Sequence, residues 1–254
     1  MSAEQDIVES WTRLQVELSA RRIADDKVDF STAPPFDGLR LVGGVDISYP
    51  RGDGSGGTAV VALTVLAFPS LEVLYAHSEA VAITAPYVAG FLAFRESAAY
   101  RAAFDSLRRT RPELWPQVVL VDGNGTLHPR RFGSACHVGV EMDVPTVGVA
   151  KNLLHIDGTG ADAKQLKRLF ADDPQLEEVP IAAASELYGM AVAPAGGSAK
   201  NPIFVSPGHR VSMRTAVELA RCCSVHRVPE PIRVADLQSR EVARQMERLG
   251  DDDA

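Results

Sequence analysis

The sequence predicts an α/β fold organised on one mixed β-sheet, an antiparallel meander continued by parallel strands and flanked by helices. Three observations lead there. The apolar runs 41–49, 58–68 and 71–83 follow one another through short links such as Pro69-Ser70, the pattern of an antiparallel meander. Residues 118–121 and 146–150 are short β-branched runs separated by a helical pattern that starts near Phe132. That spacing suits two parallel strands joined by a helical crossover. The chain has 254 residues, 46% of them hydrophobic, which is enough for one large core and far from the disordered regime. One domain spanning 1–254 is therefore expected.

Composition excludes several classes. No apolar run approaches the ~20 residues of a membrane span, and the polar, acidic start MSAEQDIVESW does not read as a signal peptide. A soluble cytoplasmic monomer, with no membrane partner, is the expectation. Cys136, Cys222 and Cys223 have no zinc-ligand or CxxC spacing and read as reduced, buried thiols. The formal charge of −7 argues against nonspecific coating of nucleic acid. The stretch from Ala199 to Arg244, with Lys200 and seven arginines, still allows a locally basic surface.

The elements follow in order. Residues 4–27 set Ile7, Trp11, Leu14, Leu18 and Ile23 among charges, an amphipathic helix for the outside of the domain. Pro34-Pro35 ends it. In the first strand, Asp46 shares a face with Gly44 and Ser48, and a mid-strand charge is costly unless paired or metal-bound. The glycine tract 52–57 reads as a turn; no lysine follows it in phosphate-loop spacing. Tyr87 lies in the loop 84–90, ahead of a helix that carries Glu96 in its early turns. The strand 118–121 surfaces on Asp122 and breaks into Gly123-Asn124-Gly125, with His128, Arg130 and Arg131 close behind. The next strand, 146–150, runs into Lys151. A short helix over 163–170 is followed by strands 186–193 and 203–206, separated by a turn at 195–198. Pro207-Gly208-His209-Arg210 reads as a turn presenting His209, and Ser212 as the cap of a helix to about Cys223. Residues 227–232 read as a stiff proline-rich link, 235–249 as a last amphipathic helix, and the acidic tail as loose.

Three acids on converging elements are the chemical signal, since a β-β-β-α-β order can bring the first and fourth strands side by side at the sheet centre. Asp46, Asp122 and Glu96 would make an oxygen-rich pocket suited to Mg²⁺ or Mn²⁺, an ion that can activate water against a phosphate. His209 would serve as a proton carrier and Lys151 as a cation for developing charge. Arg130, Arg131 and Arg210 are candidate phosphate contacts. Singly, each acid is as well explained by a turn or a solvated helix face; the set of three raises the odds.

Four separated motifs then carry a resemblance. GGVDISY, PYVAGFLAFRE, VDGNGTLHPRRFGSACHVGVEMDVPTVGVAK and VSPGHRVSM resemble, in this order, the motifs of the endonuclease V family, over about residues 39–240. The stretch after Arg221 looks closer to the animal branch than to the bacterial one. The resemblance implies an RNase H-like fold and a Mg²⁺-dependent endonuclease that nicks the second phosphodiester bond 3′ to deoxyinosine, or to inosine in RNA, in repair of deaminated adenine. It implies that Asp46 and Asp122 are metal ligands with Glu96 completing the site, and that His209 and Lys151 assist. It makes Tyr87, after Pro86, the wedge that fills the space of an extruded base. It makes Gly90, Leu92 and Gly123 the lining of the hypoxanthine pocket; His128, within reach of the strand exit at Asp122, is expected beside Arg130 and Arg210 as a nucleic-acid contact. The wedge motif departs from the family in having Val88-Ala89 where a second proline stands, which implies a less rigid loop.

Overall fold

The structure is a computed structural model that describes residues 3–50, 57–193 and 201–252. The glycine tract at 52–56 and the turn expected at 195–198 lie outside the described residues. Eight strands form one sheet: β1 (Leu41–Ser48), β2 (Thr58–Ala67), β3 (Val73–Ala82), β4 (Val118–Asp122), β5 (Thr146–Ala150), β6 (Glu178–Ala183), β7 (Glu186–Val192) and β8 (Ile203–His209). Their order across the sheet is β3-β2-β1-β4-β5-β8-β7-β6. β1, β4 and β5 are parallel at the centre, while β2 and β3 on one side and β8, β7 and β6 on the other are antiparallel. The expected mixed sheet, with the first strand beside the one that ends on Asp122, is what forms.

The helices are α1 (Ala3–Ala20), α2 (Leu92–Thr110), α3 (Ser134–Met142), α4 (Ala163–Asp172), α5 (Met213–Cys222) and α6 (Glu230–Asp252). The β-branched central strands are buried on both faces, as parallel strands must be when helices cover both sides. Val118 and Leu120 pack with α5 and with Ile232 of α6, whereas Val119 and Val121 pack under α2 and α3. α1 lies outside that second layer, with Leu18 on Phe132, Cys136 and Val140 and Trp11 stacked on Phe94. α4 is capped by the Asp162 carboxylate and seals the far half of the sheet through Leu166 and Ile156.

Five expectations are corrected. Residues 207–209 continue β8 instead of turning, because Pro207 sits where the pairing with β5 shifts register, a place that tolerates a missing N–H. α6 begins at Glu230, not 235, with Pro231 in its first turn, where proline is already shaped for a helix. It also runs on to Asp252, so part of the acidic tail is helical. Cys222 is exposed while Cys136 and Cys223 are buried, since adjacent helix residues point about 100° apart. β6 pairs with β7 as a hairpin that the strand count from sequence omitted.

Gly44 fixes how α6 meets the sheet. A Cβ there would lie 2.1 Å from the Pro231 carbonyl carbon, so only a hydrogen lets the helix start seat on β1. Thr64 of β2 ties the contact by donating to the Pro231 carbonyl at 2.9 Å. Ile232, Ala235, Ser239 and Ala243 then form the buried stripe of α6, at helical spacing.

Candidate active site

The carboxyl ends of β1 and β4 lie side by side, with Val45 opposite Val121. Asp46 and Asp122 are the next residues on each strand, and both point to the side covered by α6. Asp236, nearly two turns into that helix, closes over them. One ligand oxygen from each of the three acids lies within 4.8 Å of the others. Lys151 leaves β5 next door and its ammonium donates to Asp122 Oδ2 at 2.6 Å and Asp236 Oδ1 at 2.8 Å. Ser239, fully buried on α6, donates to Asp46 Oδ2 at 2.6 Å, and its hydroxyl lies 2.8 Å from that of Ser48.

Glu96 reaches the same region from α2, on the other face of the sheet. Its carboxylate accepts from Tyr49 at 3.0 Å and from Tyr100 at 3.4 Å. The Arg95 guanidinium lies over the Tyr49 ring, 5.2 Å from its centre. Glu96 stands outside the trio, whose third acid is Asp236.

The electrostatics follow from burial. Desolvation pushes Asp46 up to about 7 against the Ser239 hydrogen bond, with Asp122 and Asp236 adding like charge. Desolvation also pushes Glu96 up to about 7, against its two tyrosine bonds, and the charge of Asp46 adds to the rise. Burial disfavours the Lys151 ammonium, but Asp122 and Asp236 outweigh it and raise its pKa. Three convergent carboxylates, with no nitrogen or sulfur ligand among them, form a donor set for a hard divalent cation. The raised Asp46 marks a centre in need of positive charge.

A buried carboxyl raised in the folded state binds its proton where the unfolded chain has lost it. Stability is therefore shed as pH climbs from the ordinary carboxylate range to about 7. Glu96→Gln is expected to gain stability over wild type in chelator at pH 8, by on the order of 2 kcal/mol, and to gain nothing at pH 4. Paired urea titrations at the two pH values measure this. A pH-independent difference would contradict the assignment.

Beyond Asp122 the chain lines a cavity of about 170 Å³ with Gly123, Asn124, His128, Phe132 and Ser134. Gln15, Tyr87, Gly90 and Leu92 complete its wall. The four expected pocket and wedge residues, Tyr87, Gly90, Leu92 and Gly123, thus gather in one place with His128, and Pro86 precedes Tyr87 on the loop. Tyr87 is 65% exposed, a large aromatic with its face free. The Asn124 Oδ1 is buried without a partner. Burial, then the nearby Arg130 charge, push His128 down to about 4, so its imidazole is neutral.

His209 and Arg210 are not brought to this site. His209 is paired with Thr146 at the start of β5, while Asp122 is opposite Val149 near its end. That is roughly 10 Å along the strands. His209 is buried, and its Nδ1 accepts from the Ile23 N–H at 3.2 Å. Arg210 is paired with Asp143 at 2.5 Å. Arg131 is engaged by Glu186 at 2.9 Å and the Leu187 carbonyl at 3.1 Å. In the basic stretch, Arg214, Arg221, Arg233, Arg240 and Arg244 each have an acidic neighbour, so little of the expected local charge is uncompensated.

Asp236 and Ser239 are the residues that sequence reasoning missed. With the helix read from 235, Asp236 passes for an ordinary first-turn acid favoured by the helix dipole. The available signal was two polar residues interrupting the apolar stripe Ile232, Ala235, Ala243.

A sheet that gathers three carboxylates and a lysine at its central carboxyl edge, beside a small cavity, defines a phosphodiester hydrolase of the acidic-centre kind. The chain belongs to the endonuclease V family: the model for Endonuclease V matches residues 23–237. Endonuclease V of Homo sapiens is 44% identical over 238 residues, 93% of this chain and 83% of the relative. The Mus musculus protein is 42% identical over 248 residues, 97% of this chain and 72% of the relative. The crystal structure of the human catalytic domain superposes with a TM-score of 0.88 at 42% identity, covering 96% of this chain and 98% of that one. Endonuclease V of Ciona intestinalis, solved with a 23mer DNA containing an inosine followed by a ribo-adenosine, gives a TM-score of 0.86 at 34% identity. That match covers 97% of this chain and 100% of the other. The protein is an endonuclease that hydrolyses phosphodiester bonds. Among the described residues no helix is long and apolar enough to cross a membrane.

Proposed function

We propose that this endonuclease recognises deoxyinosine in DNA, or inosine in RNA, and nicks the second phosphodiester bond 3′ to it. The observation that carries this reading is adjacency. Asp122 belongs to the acid trio, and the next two residues, Gly123 and Asn124, line the cavity. A base held in the cavity therefore sets its own strand against the acids at a fixed offset.

Asp46, Asp122 and Asp236 would hold Mg²⁺, with Mn²⁺ as a substitute; such an ion supplies charge for the developing phosphate anion and acidifies water. Glu96, raised to about 7, is suited to take a proton from the attacking water near neutral pH. Lys151 keeps a positive charge beside Asp122 for the leaving oxygen. Ser239 positions Asp46. In the cavity, Asn124 Oδ1 is an acceptor for the single ring N–H of the base. Tyr87 stacks where the extruded base has left a gap.

A second reading concerns the sugar after the lesion. The Ciona complex carries a ribo-adenosine there, which supports a preference for a ribonucleotide at that position in this chain too.

End-labelled strands test both readings. DNA with one deoxyinosine, the same DNA with a ribonucleotide after it, RNA with inosine and unmodified controls are incubated with Mg²⁺ and wild type or Asp122→Ala. A single inosine-dependent nick, lost in the variant, is expected. Tight binding without cutting of any inosine strand would leave only a binding module. Tyr87→Ala is expected to lower kcat/KM on these strands about tenfold, the scale of one lost stacking contact. Its Tm should not move, because the ring is exposed. An unchanged kcat/KM would remove the wedge.

A further inference from the structure

Gly90, in the wall of the cavity, offers a backbone acceptor that is already engaged. Gly90 turns with φ +79° at the head of α2. Its carbonyl accepts from Arg130 Nη2 at 2.5 Å. His128 Nδ1 accepts the Arg130 backbone N–H at 3.2 Å, which ties down the loop that carries the guanidinium. A carbonyl held by a charged donor is engaged in one of the stronger hydrogen bonds.

The donors are held in place. The Arg130 guanidinium lies on the Phe91 ring, 4.1 Å from its centre. Its Nε donates to Gln15 Oε1, and Gln15, 3% exposed, donates in turn to the Phe132 carbonyl at 2.9 Å. α1 thereby braces the recognition loop from outside. A Cβ on Gly90 would come within 2.9 Å of Arg130 Nη2, so the guanidinium fits against a bare backbone.

We propose that Arg130 is a specificity-determining residue that acts by engaging the Gly90 carbonyl, denying a free acceptor to the 2-amino group of guanine. The inference rests on the inosine reading above. Hypoxanthine differs from guanine by lacking the 2-amino group and from adenine by an oxygen in place of the 6-amino group. Guanine entering this cavity would give its ring N–H to Asn124 and bury its 2-amino group beside an acceptor already engaged, whereas hypoxanthine loses nothing. Sites discriminate most strongly when the wrong ligand leaves a buried polar group unpaired. Gln15 and His128 are positioning residues in this scheme, since they hold Arg130 and not the base.

The test compares single-turnover cutting of thymine-rich strands carrying one inosine, one guanine or one adenine at the same position. Wild type, Arg130→Met, Arg130→Lys and His128→Phe are each assayed on all three. Arg130→Met should raise the guanine-to-inosine rate ratio about tenfold, the scale of one hydrogen bond regained. Arg130→Lys, which keeps a donor for Gly90, should return the ratio towards wild type. A merely structural role for Arg130 lowers all rates by a common factor and leaves the ratio where it was, which would overturn the proposal. If Arg130→Met folds too poorly to cut, His128→Phe decides by the same ratio. A wild type that fails on the inosine strand would instead refute the inosine reading itself.

Discussion

Asp236→Asn is expected to lower the single-turnover cleavage rate by about a hundredfold to a thousandfold, the range seen when one electrostatic partner leaves a reacting centre. Its carboxylate supplies the third oxygen of the trio and one of the two acceptors that hold Lys151. The amide keeps the shape and can still accept from Lys151, so binding of an inosine strand should persist while cutting fails. His209→Gln is the matched control. It lies toward the other end of the sheet, and its rate should stay within about threefold of wild type. Rates at saturating substrate, with polarisation binding curves in chelator, separate the two. Wild-type cutting by Asp236→Asn would remove α6 from the chemistry. Loss of cutting in a folded His209→Gln would return the histidine to it.

Gly44→Ala is expected to cost about 3 kcal/mol of stability, at the upper end of ordinary overpacking. The added methyl meets backbone of Pro231 and Ile232, not the tip of a flexible side chain, so nothing nearby swings away. α6 must lift, and with it Asp236 and the Ser239 bond to Asp46. Cleavage should therefore fall even in buffers where the variant remains folded. Urea denaturation gives the first quantity and the cleavage rate the second. A midpoint within error of wild type would mean that the helix start is not seated as described.

Much of the fold was legible because its signals are local. The runs 118–121 and 146–150 are β-branched, short and bounded by turn residues, so their strand character needed no tertiary information. The neighbouring of β1 and β4 followed from connection rules. The ends of elements were less legible. Pro207 and Pro231 both read as breakers, yet one sits at a register shift in a strand and the other in a helix's first turn. Proline forbids a donor and fixes φ, and either place accepts both conditions.

The same division runs through the site. By itself the sequence determined that acids surface at the carboxyl ends of adjacent strands, that a lysine follows on the next strand, and that a glycine-rich exit opens beside them. Those are consequences of alternation along single elements and of order along the chain. Only the tertiary structure decided which side chains share a space. It set Asp236 in the trio, Glu96 on the opposite face under two tyrosines, His209 far along the sheet, and Gln15 behind the recognition loop. The reason is that a carboxylate's partner is chosen by distances of a few ångströms. Here those distances are set by how closely α6 seats on Gly44 and α1 on α3, contacts between residues about 190 and 120 positions apart that no local pattern encodes.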